Sequence, residues 1–304
     1  MEIRESEKAG LETLCRLLGC TRQAYYSRLR GKEQEAIGNH LILSEVAGIR
    51  SRQKRAGARK LHHLLSGFML RMGVVLGRDR FFDLLREHRL LVRKRRSGKP
   101  RTTYSALWMK RYPNLAKGFT PTGPNQLWVS DITYIRIGEG FGYLSLATDA
   151  YSRKIVGYCL SPDLTARGCI AALRMAIRNN PERERLVHHS DRGLQYYSGG
   201  YMKLLEKAGI RVSMSERSDP LENAIAERVN GILKDELLEK RFGSFREAGF
   251  AVDEAVSTYN NLRPHLSVDM LTPAEAHLRR GNLKRLWKNY KAGEVPRFTP
   301  QAMA

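Results

Sequence analysis

The sequence predicts an α/β protein with a three-layer core, preceded by an all-helical basic region. Three observations lead there. Charge is uneven: of a net +22 over 304 residues, residues 1–120 carry 27 Lys and Arg against 10 Asp and Glu, a net of +17, which leaves +5 for residues 121–304. Apolar residues recur at helical spacing through the first part. From Gln126 the pattern changes to runs of β-branched and aromatic residues in the order βββαβαβα, which mixes antiparallel with crossover connections. A charge this far from zero excludes an acidic or neutral enzyme of the ordinary cytosolic kind and favours a polyanion as partner.

Each element has a local reason. Leu11, Leu14, Cys15 and Leu18 form one apolar stripe, Gly19 ends it, and Thr21 is placed to cap a second helix carrying Ala24, Tyr25 and Leu29. Helix, Gly-containing turn, helix is the pattern of a DNA-reading helix-turn-helix and equally that of a plain helical hairpin. Further helices are expected at residues 34–49, 59–65 and 78–88, the last burying Phe81, Phe82 and Leu85. Two cation clusters contain no acid: Arg50, Arg52, Lys54, Arg55, Arg59, Lys60, and Arg93, Lys94, Arg95, Arg96, Lys99, Arg101. A solvated helix face usually mixes signs, so these read as phosphate contacts. Periodicity then lapses, with Pro100, Pro113 and Pro121 among basic residues. The expected organisation is a helical DNA-binding region at 1–92, a basic linker at 93–123, an α/β core with C-terminal helices at 124–280 and a basic tail at 281–304.

Leu127–Ile137, residues 143–148 and residues 154–160 read as three antiparallel strands in series, turning at Gly138-Glu139-Gly140 and at residues 149–153. A helix at 164–178, a strand at 186–190, a helix at 198–208, a strand at 210–214 and a long helix from Pro220 follow. No stretch approaches 18 consecutive apolar residues, and Met1 to Gly10 alternates charges, so no membrane partner and a cytoplasmic location are expected. Cys15, Cys20, Cys159 and Cys169 form no C-x2-C pair and lack histidines at zinc spacing; they are expected as reduced thiols, with Cys159 in the core.

Three carboxylates stand at meaningful places: Asp131 in the middle of the first strand, Asp191 just after the fourth, and Glu227 inside the long helix. Asp is poor in strand interiors. A carboxylate at the C-terminal end of a strand is where α/β sheets place ligands. On the helix, Asn223, Glu227, Asn230 and Lys234 fall within about 60° of one another, opposite Leu221, Ile225, Val229, Ile232 and Leu233. Each acid also has a plainer reading, as an edge-strand aspartate, a turn residue in Asp191-Arg192-Gly193, or a solvated helix face. Glu222 reads as an N-terminal cap. Converging, the three acids would make an oxygen-only site for hard cations, Mg2+ or Mn2+, of which two can serve phosphodiester attack.

Three segments carry a specific likeness: Trp128-Val129-Ser130-Asp131-Ile132-Thr133-Tyr134, His189-Ser190-Asp191-Arg192-Gly193-Leu194-Gln195-Tyr196, and Asn223 through Glu236. With 35 residues between Asp191 and Glu227, they closely resemble the integrase-like DDE transposases of bacterial insertion sequences, of the OrfB type made from the second reading frame of two-frame elements. Tyr259-Asn260-Asn261-Leu262-Arg263-Pro264-His265 and Thr272-Pro273-Ala274-Glu275-Ala276 are similar to that family's C-terminal signature. The resemblance implies a ribonuclease H-like core with a mixed five-stranded sheet. It implies metal-dependent DNA cleavage and strand transfer, with Asp131, Asp191 and Glu227 both catalytic and metal-holding around two ions. Lys234, Arg263 and His265 would contact DNA, as would Arg59, Lys60, Arg93, Lys94, Arg95 and Arg96. His189, Gln195 and Asn223 would be accessory, His189 and Gln195 orienting DNA or water. The partners implied are double-stranded DNA at element ends and target, further copies of the chain on DNA, and the first-frame protein of the same element, in the bacterial cytoplasm on the nucleoid. The alternatives are a nuclease of the same fold that does not join, and a catalytically silent DNA-binding regulator.

Overall fold

The computed structural model describes residues 11–17, 19–92, 112–182, 185–216 and 223–286. The chain divides into two compact units, residues 1–52 with 56–93, and residues 53–55 with 94–304.

The first unit is helical: α1 (Leu11–Leu17), α2 (Arg22–Arg52), α3 (Ala58–Arg71) and α4 (Arg78–Glu87). Gly19 turns the chain with φ +62°, and Thr21 Oγ1 accepts from the Ala24 N–H at 3.1 Å. The two helices expected between residues 22 and 49 are one. Lys32-Glu33-Gln34-Glu35-Ala36 are strong helix formers, and Gly31 alone is too weak a breaker to divide them. Ile42, Val46, Leu61, Leu65, Phe81 and Leu85 are buried together in a small core. Arg50, expected among the phosphate-binding cations, is used internally. Its Nη2 donates to the carbonyls of Ala56 (3.1 Å) and Leu90 (2.7 Å), joining the end of α2 to the exit of α4.

The second unit holds β1 (Leu127–Ile137), β2 (Gly140–Asp149), β3 (Ile155–Ser161), α5 (Ala166–Asn179), β4 (Val187–Ser190), α6 (Gly199–Lys207), β5 (Arg211–Met214), α7 (Ala224–Ile232), α8 (Phe245–Asn261) and α9 (Pro273–Ala276). The sheet order is β3-β2-β1-β4-β5, with β1 to β3 an antiparallel meander and β4 and β5 parallel to β1. This is the ribonuclease H-like arrangement.

One face buries Trp128, Ala147 and Val156 under Leu173 of α5 and Leu205 of α6; the other buries Ile135, Leu144 and Leu146 under Val229 of α7 and Val256 of α8. A Cβ at Gly157 would lie 2.1 Å from the Ala172 carbonyl, so α5 rests directly on the backbone of β3. Cys159 is half-buried rather than in the core, because its end of β3 is only partly covered. Glu222 lies outside the described residues; described helix begins at Ala224 and passes into a π-helical turn, Leu233–Leu237.

Candidate active site

Asp131 sits at the centre of the sheet, on a strand hydrogen-bonded on both sides. Its Oδ1 accepts from the Ile132 N–H (2.8 Å) and its Oδ2 from Asn230 Nδ2 (2.8 Å). Asn223 Nδ2 donates to the Ser130 carbonyl at 3.0 Å. The start of α7 is thus tied to β1 by two amides seven residues apart, two helical turns, with Glu227 between them on the same face. The amides of this polar face are therefore docked on β1: Asn223 and Asn230 are buried, while Glu227 and Lys234 at its border are exposed.

Asp191 follows β4, the strand beside β1, and its Oδ1 accepts from the Gly193 N–H (3.2 Å). A Cβ at Gly193 would stand 3.1 Å from both Asp191 Oδ1 and Gln195 Oε1, so this turn brings the Gln195 amide toward the acid. Gln195 Nε2 itself donates to the Leu164 carbonyl (3.0 Å).

Asp131 feels both of the other acids. Burial pushes the Asp131 carboxyl up to about 7, helped by the charge of Asp191 and, after the opposing hydrogen bonds of Ile132 and Asn230, by that of Glu227. Burial also raises Asp191, against the Gly193 N–H. Two desolvated carboxylates, one of them raised by the charge of its neighbour, are a mark of a functional site. As the side chains stand, no three His, Cys, Asp or Glu among the described residues are gathered to grip an ion.

Other expected site residues are placed differently. Arg263 does not face DNA: it is buried, its Nε and Nη2 paired to the two Glu236 oxygens at 2.9 and 3.0 Å, with the guanidinium over the Tyr259 ring. His265 is buried too, its Nδ1 accepting from the Ser267 N–H (3.3 Å). His189 is fully buried against Ser213 Oγ (2.8 Å), so it supports the β4–β5 pair and cannot orient DNA. Arg59 and Lys60 stand in the first turn of α3, Arg59 exposed and Lys60 half-buried. Arg93, Lys94, Arg95 and Arg96 lie outside the described residues.

Two residues carry more than their sequence positions suggested. Asn230 was visible only as a member of the polar face, and its grip on Asp131 needs the tertiary fold. His188 stands on β4 beside Ser130, the residue before Asp131, its Nε2 2.9 Å from both Ser130 Oγ and Tyr201 Oη, and burial pushes it down to about 3, so it stays neutral. No pattern in the sequence signalled that role.

A sheet of this order, with one carboxylate mid-β1, one after β4 and one on the helix across β1, defines a polynucleotidyl transferase core of the integrase type. The integrase core domain family matches residues 121–220, and a second integrase core description matches residues 208–273. The chain is 34% identical over 267 residues to a 31 kDa protein of insertion element IS600 from Shigella sonnei, covering 86% of this chain and 96% of the relative. It is 29% identical over 274 residues to the transposase InsF of insertion sequence IS3A from Escherichia coli, covering 87% and 93%. It is 33% identical over 164 residues to a putative transposase of IS986/IS6110 from Mycobacterium tuberculosis, covering 52% and 59%. A solved catalytic core of the integrase of HTLV-2, in complex with magnesium, aligns at TM-score 0.42 and 20% identity over 52% of this chain and 99% of that one. The chain belongs to the integrase-core family of insertion-sequence transposases: it is a DDE-type transposase, an enzyme of DNA transposition and integration. Among the described residues no helix is long and apolar enough to cross a membrane.

Proposed function

We propose that this transposase cleaves and joins DNA at the ends of an insertion sequence, with Asp131, Asp191 and Glu227 holding two Mg2+ or Mn2+ ions. The observation that carries the reading is the placing of Asp131 in the middle of β1, where burial first, then the charge of Asp191 and least that of Glu227 hold its carboxyl up. The donor set fits, since three carboxylates offer only hard oxygens, and their mutual repulsion is what a divalent cation would relieve. When bound, the metal supplies charge for the attacking and leaving oxygens of a phosphodiester.

The chain's own residues do the rest. Asn230 and the Ile132 N–H orient the Asp131 carboxylate, and Asn223 and Asn230 hold α7 against β1 so that Glu227 stays beside it. Exposed Lys234 meets a DNA phosphate near the reacting bond, and Gln195 lies toward Asp191 in the turn after β4. The basic first unit, with Arg59 and Lys60, and the cluster at residues 93–96 that follows it hold the element ends through phosphates. Further copies of the chain on the DNA, and the first-frame product of the element, complete the working assembly in the bacterial cytoplasm.

The test is incubation of the full chain with Mg2+, the flanking element ends and a target plasmid, with sequencing of the products. Asp131→Asn, Asp191→Asn and Glu227→Gln should each abolish cleavage and joining while leaving end binding intact. Strand transfer retained by any of the three would refute the assignment. Cut but unjoined ends from the unsubstituted protein would point to a nuclease instead.

A further inference from the structure

We propose that Cys15 and Cys20 form a reversible intramolecular disulfide that locks the turn between α1 and α2, a redox-modification site within the helical unit. The end of α1 closes by two backbone bonds: the Gly19 N–H donates to the Arg16 carbonyl (3.2 Å) and the Cys20 N–H to the Cys15 carbonyl (2.9 Å), with Gly19 at φ +62°. This is the Schellman motif, in which the outermost pair of residues brings its side chains together, ordinarily as a hydrophobic contact. Here both are cysteines. The bent Cα–C=O unit spans about 2.4 Å, so with the 2.9 Å hydrogen bond and the N–Cα bond of Cys20 the Cα separation is at most about 6.8 Å. That is within the span of roughly 4.4–6.8 Å that a disulfide bridges.

The backbone bond from the Cys20 N–H to the Cys15 carbonyl sets the two side chains at the paired ends of the motif. They are not equivalent: Cys15 is buried and Cys20 half-buried. Burial, then the Cys20 thiol, raise the Cys15 thiol, with Arg22 working the other way. Cys20 is therefore the sulfur that meets an oxidant and Cys15 the one that resolves.

With a small disulfide such as oxidised glutathione, the Cys20 thiolate attacks one sulfur, the glutathione S–S bond breaks and one glutathione thiolate leaves. Cys15 loses its proton to solvent and its thiolate attacks the Cys20 sulfur, expelling the second glutathione. One disulfide forms and one is reduced, and two electrons pass from the protein thiols to the oxidant. The ring closes across the end of a seven-residue helix, a length marginal on its own, so oxidation holds α1 in its native turn ahead of α2.

The test equilibrates the full chain in a series of oxidised-to-reduced glutathione ratios, then quenches with acid, alkylates and digests with trypsin. Cleavage after Arg16 and Arg22 makes the proposed species two joined peptides, residues 9–16 and 17–22. The expected result is that this pair dominates the oxidised protein, forming at a ratio at least roughly ten-fold less oxidising than in urea, where the turn is absent. Cys15→Ser should strand glutathione on Cys20, and Cys20→Ser should leave Cys15 unmodified. Glutathione accumulating on Cys20 of the unsubstituted chain without closure, oxidation of Cys159 and Cys169 while this pair stays reduced, or an equal ratio in urea would each overturn the proposal.

Discussion

Replacing Asp131 by Asn should stabilise the metal-free protein above neutral pH while removing its chemistry. In the unfolded chain this carboxyl ionises near 3.8, and in the folded chain near 7. Between those values the native state keeps a proton the unfolded state has lost, so the contribution of this group to native stability is full below about pH 4 and is lost as pH rises to about 7. The gap between the two values corresponds to about 4 kcal/mol, an upper bound because the group is coupled to two other acids. Asp131→Asn would remove that penalty, but the new amide must pair with Asn230. Turning the Asn230 amide over would let its Oδ1, buried without a partner, accept from the new amide. That exchange strands Asn230 Nδ2 and returns about 1–3 kcal/mol. The net expectation is a gain on the order of 1–3 kcal/mol at pH 8, turning into a loss on the order of 1–3 kcal/mol at pH 4, where the stranded amide still costs and no ionised carboxylate is left to relieve. The assay is thermal unfolding of the full chain with a chelator, comparing wild type and Asp131→Asn from pH 4 to pH 8. A midpoint difference that does not grow with pH would refute the claim that Asp131 is a destabilised carboxylate.

Divalent cation should reverse the same penalty: Mg2+ or Mn2+ should raise the unfolding midpoint of the wild type more at pH 8 than at pH 5 and release protons on binding, seen by calorimetry in buffers of different ionisation enthalpy, whereas equal shifts in Asp131→Asn would show binding elsewhere. Arg263→Ala should cost about 3–5 kcal/mol by leaving Glu236 without its buried partner, with an unchanged salt dependence of DNA binding; a shallower salt slope at intact stability would restore Arg263 to the DNA interface. Neutralising Arg59 and Lys60 together should lower the slope of log K against log salt by about 0.9 for each phosphate no longer neutralised and leave preference among DNA sequences unchanged; an unaltered slope would make those cations a solubility feature.

Much of the core was legible because its signals are local. The meander from Leu127 to Ser161 announces itself by β-branched runs and glycine turns, and each crossover by a helix of 3.6-residue period between short apolar strands. Asp131 stood out by breaking strand composition. What escaped was set by tertiary partners. Arg263 and His265 sit in a basic, polar segment that reads like a DNA contact, and only the approach of Glu236 from the π-helical turn shows that the guanidinium is consumed inside the fold. His189 and His188 are adjacent in sequence and point to opposite faces of β4, one to Ser213 and one to Ser130 and Tyr201, a distinction invisible without the strand's neighbours. The undivided α2 escaped because a lone glycine among strong helix formers interrupts a pattern without interrupting a helix.

The two asparagine bonds from α7 to β1 divide the site mechanically. Asp131 and Glu227 ride on a strand and a helix already bolted together, like the fixed jaw of a vise. Asp191 rides on a turn whose only restraint on its carboxylate among the described residues is the Gly193 N–H. It is therefore the travelling jaw: adjustment to an incoming charge falls on the loop after β4, and changes in that loop should alter how fast the grip closes more than how the other two acids are spaced.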